Sequence, residues 1–168
     1  MHSLPLFLDP ASVHCLIVGG GEVAMRKLTT LLDAAVDCRV VAPTLTAGMA
    51  ELVTNRSLAH ECRGFEAGDL NGMNLVIAAT DDEATNREVH RLATEAGVWI
   101  NAVDDLGNST AIFPSIVNRD PVTVAISTAG HSPTLARRIR AQIETVLSGG
   151  IGRLALYLGE RRAAARER

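Results

Sequence analysis

Apolar and polar residues alternate along the first two thirds of the chain in a way that predicts strands followed by helices. Short apolar runs predict four strands, at 14–18, 38–42, 75–79 and 98–103. Apolar residues recur at helical spacing after the first run, and a second helix is expected to begin near Asp81 or Asp82 and to end at about Ala96. Strands that alternate with helices indicate βαβ units, and so a Rossmann-type α/β domain with a parallel sheet.

The segment 44–74 is less regular, and we expect it to hold one helix and one short strand near 59–62. Beyond Asp105, two β-rich stretches flank the turn-forming sequence 118–121 and predict an antiparallel hairpin, with strands at 111–117 and 122–128. A lone hairpin is rarely stable, so this one is expected to lean on the first domain or on a partner subunit.

A helix is expected after the hairpin, and a helical tail after that helix. Ser132 and Pro133 have the residue types of an N-cap and a first helical position. This helix would end at about Leu147, before two glycines, and the tail 151–168 is helical by propensity.

Composition narrows the class of protein. The 168 residues are 47% hydrophobic but only 3% aromatic, which favours an aliphatic core of the kind found between a parallel sheet and its helices. The net charge of −3 argues against nucleic-acid binding. The sequence contains neither an apolar run long enough to cross a membrane nor a signal peptide. Three scattered cysteines, Cys15, Cys38 and Cys62, favour reduced thiols and a cytoplasmic location.

The glycine turn at 19–21 carries the clearest chemical signal. The sequence from Gly19 to Ala24 fits GxGxxA, and it lies between a predicted strand and a predicted helix. Gly19 would allow the tight turn, Gly21 would let a pyrophosphate approach the backbone, and Gly20 lies between them. We therefore predict a nicotinamide dinucleotide as cofactor. The alternative is a glycine turn that serves only a tight connection.

The second strand lacks the acidic residue that commonly binds the adenosine ribose. It ends instead at Pro43 and Thr44, so backbone groups or the Thr44 hydroxyl would take that role. Arg39 lies too far back in this strand to hold a 2′-phosphate. The motif alone therefore leaves NAD and NADP as alternatives.

The carboxyl ends of the later strands hold the candidate catalytic groups. Thr80 follows one strand and would face the cofactor crevice, whereas Asn101, Asp104 and Asp105 lie at the end of the next. A carboxylate there could act as a general base beside the nicotinamide, and Asn101 is expected to bind the substrate. The alternative is that the two aspartates only begin a solvated loop.

Several motifs occur together in a specific order. They are LPLFLDP, CLIVGGGEVAMRK, VVAP, LVIAATDDEATN, INAVDD, FPSIVNRDPVTVAIST and GHSPTLARRIR. Over residues 3–147 the chain thereby resembles the precorrin-2 dehydrogenase/sirohydrochlorin ferrochelatase module of siroheme synthases. The resemblance implies NAD-dependent oxidation of precorrin-2 to sirohydrochlorin, a homodimer, and in many members the insertion of Fe²⁺, with Co²⁺ as an alternative metal substrate.

The resemblance also assigns domains and site residues. It implies an NAD-binding domain at 1–110, a dimerisation domain at 111–148 and a short helical segment at 149–168. Asp104 matches the acid of the family that serves as general base. Glu22 and Val23 at the glycine turn, with Pro43 and Thr44, match the residues that contact NAD.

Two departures from the family pattern limit what can be carried over. Thr128 stands where some members have a regulatory serine. The helical domain of the family continues past Arg168, so chelatase activity is in doubt, and a fused methyltransferase domain is not expected.

The predicted substrate is a macrocycle with eight carboxylates. Arg137 and Arg140 lie on one face of the helix that begins at Pro133, and we hypothesise that they attract those carboxylates. Alternatives are a solvated face or salt bridges in a dimer. No histidine pair has the spacing of metal ligands, so no metal site is expected, and His131 is more typical of a loop residue. Alternative functions are an NAD-sensing regulatory module and chelation without oxidation.

Overall fold

The computed structural model describes residues 3–166. Its internal contacts divide the chain into two compact units, one formed by Leu4–Ala111 and the other beginning at Ile112. They are called the N-terminal unit and the C-terminal unit below. The predicted fold class, a parallel α/β sheet followed by a hairpin and helices, is confirmed. The division into three domains stays a prediction. Within residues 3–166, no helix is both long enough and apolar enough to span a lipid bilayer.

The N-terminal unit is a five-stranded parallel sheet with the order β3-β2-β1-β4-β5. The strands are β1 (His14–Val18), β2 (Asp37–Val41), β3 (Ala59–Glu61), β4 (Leu75–Ala78) and β5 (Trp99–Ala102). The helices are α1 (Glu22–Asp33), α2 (Ala47–Asn55) and α3 (Glu83–Glu95), with 3₁₀ turns at Pro10–Ser12 and Ala67–Leu70. The strand order reverses direction between β1 and β4, which is where open α/β sheets bind ligands.

The apolar runs form the central strands because both faces of those strands are covered. Leu16, Ile17, Val76 and Ile77 of β1 and β4 are completely buried, as expected for a parallel sheet between helices. The predicted start of α3 is confirmed, since the Asp82 carboxylate accepts hydrogen bonds from the first backbone N–H groups of that helix.

The C-terminal unit contains the predicted hairpin and two helices. They are β6 (Ser115–Arg119), β7 (Val122–Ile126), α4 (Pro133–Val146) and α5 (Ile151–Arg166). The Ser132 hydroxyl accepts a hydrogen bond from Leu135 N–H and so caps α4 as predicted.

The predicted bounds of the hairpin were wrong at both outer ends. Thr110 and Ala111 donate their backbone N–H groups to the Ile100 carbonyl, so they stay beside β5 instead of starting β6. At the other end, the hydroxyls of Ser127 and Thr128 accept hydrogen bonds from backbone N–H groups further along the chain and turn it away. Side-chain bonds of this kind compete with a strand ladder.

A buried ion pair holds together the segment that sequence patterns described least well. Asp69, in the 3₁₀ turn, is only 3% exposed. Its carboxylate accepts hydrogen bonds of 2.9 and 2.7 Å from the Arg63 guanidinium and one of 2.9 Å from Glu66 N–H. Arg39 on β2 donates to the Asp69 carbonyl oxygen. These contacts link β2, the loop after β3 and the 3₁₀ turn.

We predict that Asp69→Asn destabilises the protein by roughly 2 kcal/mol at neutral pH, because the buried side chain loses its charge-assisted hydrogen bonds with Arg63, which is itself 36% exposed. Hydrogen bonding from Arg63 holds the pKa of Asp69 below its ordinary value. Because the pKa of Asp69 is lower in the folded protein than in the unfolded chain, its carboxylate stabilises the fold at pH values above the pKa of the unfolded state. That stabilisation is lost as the pH falls through the pKa of the folded state. The difference between wild type and variant should therefore shrink below about pH 4.

Urea unfolding at pH 7 and at acidic pH measures this difference. Asp37→Asn is the matched control, because Asp37 pairs with His14 at the surface and should change stability by less than about 1 kcal/mol. Equal losses for the two variants would contradict a special role of the buried pair.

Candidate functional site

A cleft of about 810 Å³ opens at the carboxyl edge of the parallel sheet, where β1 and β4 are adjacent. Its volume is in the range of small-molecule and cofactor sites. The turns after β1, β2, β3 and β4 contribute the lining, which includes Gly19, Gly20, Gly21, Pro43, Thr44, Phe65, Thr80, Asp81, Asp82 and Glu88. Six of the sequence-predicted cofactor residues therefore meet in one cleft.

The first two glycines are required by the fold itself. Gly19 has φ +127°, and a Cβ there would collide with the carbonyl of Ala79. A Cβ on Gly20 would collide with the carbonyl of Thr44. The turn is thus pressed against the ends of two neighbouring strands, and Thr46 N–H donates to the Gly20 carbonyl at 2.9 Å.

The third glycine, Gly21, is not required by packing, because nothing in the protein lies within 4 Å of the position that a Cβ would take there. Its φ of −86° is ordinary for any residue. Gly21 precedes α1 and supplies no side chain to cap it, and Met25 N–H makes the bond to the Gly21 carbonyl. The missing side chain therefore leaves the helix start open towards the cleft, which fits an incoming pyrophosphate.

The next two predicted cofactor residues lie outside the lining. Glu22 and Val23 form the first turn of α1 but do not line the cleft. We therefore expect their backbone N–H groups, which belong to the unpaired first turn of the helix, to bind the cofactor in preference to their side chains. Ala24 is completely buried, in agreement with the close helix packing that the motif predicts.

The charged groups of the cleft are all acidic. Asp81, Asp82 and Glu88 line it, whereas none of the described lining residues is a lysine or an arginine. Arg39, which was expected to lie too far back, is engaged with Asp69. The cleft as described offers no cation to a 2′-phosphate.

Thr80 is held in place by a residue that sequence reasoning missed. The side-chain oxygen of Asn86 accepts hydrogen bonds from Thr80 N–H at 3.3 Å and from the Thr80 hydroxyl at 2.8 Å. Its amide donates to the Thr80 carbonyl at 2.9 Å. An asparagine in the first turn of a helix, eight residues after a strand end and six after Thr80, was the available signal.

Asp104 lies beside the cleft and outside its lining. The register pairs Ala78 of β4 with Ala102 of β5, so Thr80 and Asp104 each follow the paired residues by two positions at the same edge. Asp104 is exposed and has φ +58°. Left-handed backbone is uncommon for a residue other than glycine, and it clusters at functional sites.

The loop after β5 is tied down on both sides of Asp104. The Ser109 hydroxyl accepts a hydrogen bond from Ala102 N–H at 2.9 Å. The Asp105 carboxylate accepts bonds of 3.2 and 2.6 Å from Asn108, and this bonding lowers the pKa of Asp105. The alternative of two aspartates in a merely solvated loop fits their exposure but does not account for this ordered turn.

The Asn101 side chain is buried and contacts the backbone of the following loop. It is 7% exposed, and its amide donates to the Ala111 carbonyl at 2.9 Å. We therefore expect it to position the loop that carries Asp104, and the substrate contact predicted for it stays a prediction.

The remaining predicted residues lie in the C-terminal unit. Arg137 and Arg140 are exposed on α4, and Arg140 Nη2 lies 2.9 Å from a carboxylate oxygen of Glu144. His131 lies exposed before that helix. Residues 3–166 contain no group of three histidine, cysteine, aspartate or glutamate residues that could hold a metal ion.

The sheet order, the glycine turn and the cleft together define a dinucleotide-binding domain of the Rossmann class. A family model described as "Putative NAD(P)-binding" matches residues 6–115, and the chain belongs to this family. A second model, "Sirohaem biosynthesis protein central", matches residues 119–145.

Individual relatives extend the similarity over nearly the whole chain. The siroheme synthase of Azotobacter vinelandii is 48% identical over 92% of this chain and 33% of its own length. That of Photobacterium profundum is 42% identical over 97% of this chain and 35% of its own. The chain thus spans about a third of these relatives. The solved structure of SirC, a precorrin-2 dehydrogenase, matches 96% of this chain and 79% of its own at 25% identity, with a TM-score of 0.77.

These findings confirm the resemblance, the fold and the class of cofactor that the sequence predicted. The two family models also cover two of the motifs that carry the resemblance, namely the glycine turn and the start of α4.

We predict that Gly21→Ala leaves the fold nearly intact, with a loss of stability of no more than about 1 kcal/mol. It should nevertheless weaken NAD binding by roughly tenfold, or about 1.4 kcal/mol, because the new methyl group enters the space left for the cofactor. Gly20→Ala should lower the melting temperature more, since its methyl group meets the backbone of Thr44.

Calorimetric titration with NAD and thermal unfolding separate the two effects. Gly68→Ala is the control, because a Cβ there also meets nothing and Gly68 lies outside the cleft lining. NAD affinity of Gly21→Ala equal to that of the control would show that Gly21 does not face the cofactor.

Proposed function

We propose that this chain catalyses the NAD-dependent oxidation of precorrin-2 to sirohydrochlorin in siroheme biosynthesis. The membership in an NAD(P)-binding family and the similarity to siroheme synthases and to SirC support this proposal. The names of these relatives favour a biosynthetic enzyme over an NAD-sensing regulatory module. We assign it the dehydrogenase step because SirC, which is named a precorrin-2 dehydrogenase, matches 96% of this chain.

One observation carries the proposal, namely the position of Asp104 relative to the dinucleotide cleft. Asp104 lies two residues after the end of β5, and Thr80 lies two residues after the end of the adjacent β4, at the same edge of the sheet. A cofactor held in the cleft and a carboxylate one strand away can act on the same substrate atoms. An exposed acid at this strand end is the group that a dehydrogenase needs as a base and that a module that only bound NAD does not need.

The cofactor would be held by the residues predicted from the sequence. The glycine turn and the backbone of Glu22 and Val23 would bind the pyrophosphate, while Pro43, Thr44 and Thr80 would border the rest. When bound, NAD supplies a hydride acceptor. The lining favours NAD over NADP, because its described residues include no lysine or arginine to bind a 2′-phosphate.

Asp104 would act as the general base. Oxidation of precorrin-2 removes two electrons and two protons, which leave as one hydride to NAD and one proton to the Asp104 carboxylate. The products are sirohydrochlorin, NADH and a proton. Since Asp104 is exposed, it can return that proton to solvent after each turnover.

Arg137 and Arg140 are our candidates for binding substrate carboxylates. Both are exposed on α4. The pair between Arg140 and Glu144 is solvent-exposed, and exposed pairs contribute little stability, so a substrate carboxylate can replace Glu144.

We further propose a homodimer located in the cytoplasm. Four large apolar side chains of α5 are at least half exposed, namely Leu154, Leu156, Tyr157 and Leu158, and a second copy would cover them. The three thiols are free, and that of Cys62 is exposed, which is typical of a reducing compartment.

An anaerobic assay with purified protein, precorrin-2 and either NAD or NADP tests the function. We expect sirohydrochlorin absorbance to appear with NAD and far more slowly with NADP. Binding of NAD without oxidation would instead support the regulatory module. Addition of Fe²⁺ or Co²⁺ to the product tests metal insertion, for which the four ring nitrogens of the substrate would supply the ligands.

Loss of the carboxylate at position 104 should abolish oxidation. We expect Asp104→Asn and Asp104→Ala to lower kcat by roughly 100-fold or more, with the NAD dissociation constant changed less than about twofold. Asparagine tolerates left-handed backbone, so Asp104→Asn keeps the loop and removes only the charge. Full activity of Asp104→Asn would remove Asp104 from the mechanism.

The double variant Arg137→Ala/Arg140→Ala should raise the KM for precorrin-2, and the increase should be larger at low salt because charge attraction is screened by ions. Arg56→Ala/Arg87→Ala is the matched control, since both arginines are exposed and lie outside the cleft lining, and Glu83, which pairs with Arg87, lies outside it too. If the KM of the first variant equals that of wild type at both low and high salt, these arginines do not bind substrate.

A further inference from the structure

Lys27 occupies a position on α1 where an apolar residue is expected. Ala24, Leu28 and Leu31 are the buried residues of this helix. Lys27 lies three positions after Ala24 and four before Leu31, so these residues form the i, i+3, i+4, i+7 stripe that faces a protein core. Lys27 is accordingly half-buried, whereas its neighbour Arg26 is exposed. Partial burial of a cation is unfavourable unless other groups compensate it.

The geometry of the helix directs this cation towards the candidate active site. α1 begins just after β1, so its N-terminus lies at the carboxyl edge of the sheet. Helical side chains lean towards the N-terminus of their helix, and the Lys27 Cα lies only about 7.5 Å from the start of α1. The helix packs on β1, β2 and β4, and the strand next to β4 is β5, which ends two residues before Asp104.

Electrostatics link Lys27 to Asp104. Burial lowers the pKa of Lys27, the neighbouring charge of Arg26 lowers it further, and the carboxylate of Asp104 raises it. Asp104 is thus the acid whose attraction offsets part of the unfavourable burial of Lys27.

We propose that Lys27 is a positioning residue for Asp104, whose carboxylate it holds in the orientation that takes a proton from the substrate. This inference rests on the proposed dehydrogenase function. The backbone of Asp104 is already held by the ordered loop, but its exposed side chain can still rotate. An ammonium group that emerges from the sheet-facing side of α1 restricts that rotation, and correct orientation of a base is worth a large factor in rate.

The test compares three variants under conditions in which wild type oxidises precorrin-2. Lys27→Met keeps an unbranched apolar stem and removes the charge, Lys27→Arg keeps the charge, and Arg26→Met removes an exposed charge from the adjacent position. We expect Lys27→Met to lower kcat by roughly tenfold or more, with the KM for precorrin-2 and the NAD dissociation constant within about twofold of wild type. Lys27→Arg should restore most of the rate, and Arg26→Met should behave as wild type.

A double-mutant cycle tests whether Lys27 acts through Asp104. In the Asp104→Asn background, Lys27→Met should cause no further loss of rate, because the carboxylate that it positions is absent. Equal losses in both backgrounds would overturn the inference, as would a change in KM alone, which would make Lys27 a substrate contact.

Thermal unfolding provides the readout that is independent of activity. If wild type oxidises precorrin-2 and Lys27→Met is equally active, the inference is overturned and the proposed function stands. A rate loss that follows a lower melting temperature, and that Lys27→Arg does not restore, also overturns it. An inactive wild type that still binds NAD overturns the proposed function itself, and with it the role of Lys27.

Discussion

The close approach of the glycine turn to its neighbouring strand ends is the constraint on which the rest of the site depends. At Gly19 and Gly20 the chain passes so near the carbonyls of Ala79 and Thr44 that no side chain fits. This contact brings the ends of β1, β2 and β4 together around one cleft. It also directs the start of α1, with its unpaired N–H groups, at that cleft. Gly21 completes the arrangement by leaving the space in front of the helix open.

Cofactor binding and proton transfer are assigned to different strand ends, and each end is stabilised by its own polar contacts. The side chain of Asn86 on α3 accepts a hydrogen bond from the Thr80 N–H and donates one to the Thr80 carbonyl. Ser109 and Asn101 tie down the loop that carries Asp104. Such support matters because catalysis needs groups held in position within fractions of an ångström. Asn101 illustrates how a polar residue beside a site can serve it by supporting a loop.

The C-terminal unit has a different character from the parallel sheet. Its hairpin and two helices leave large apolar side chains at the surface, and Arg137 and Arg140 are exposed on α4. A small antiparallel hairpin gains stability from a further packing surface. The proposed dimer and the proposed contacts of Arg137 and Arg140 with substrate would together explain why these groups remain exposed.

Local pattern determined the strands and helices of the α/β domain, their order along the chain, the caps of α3 and α4 and the glycine turn, because each of these leaves a periodicity or a motif within a short stretch of sequence. The motifs also determined the family. Only the tertiary structure decided the ends of the hairpin, the ion pair of the buried Asp69, the hydrogen bonds between Asn86 and Thr80 and the partial burial of Lys27. These features join residues from separate elements, and no periodicity along a chain records which strand ends become neighbours.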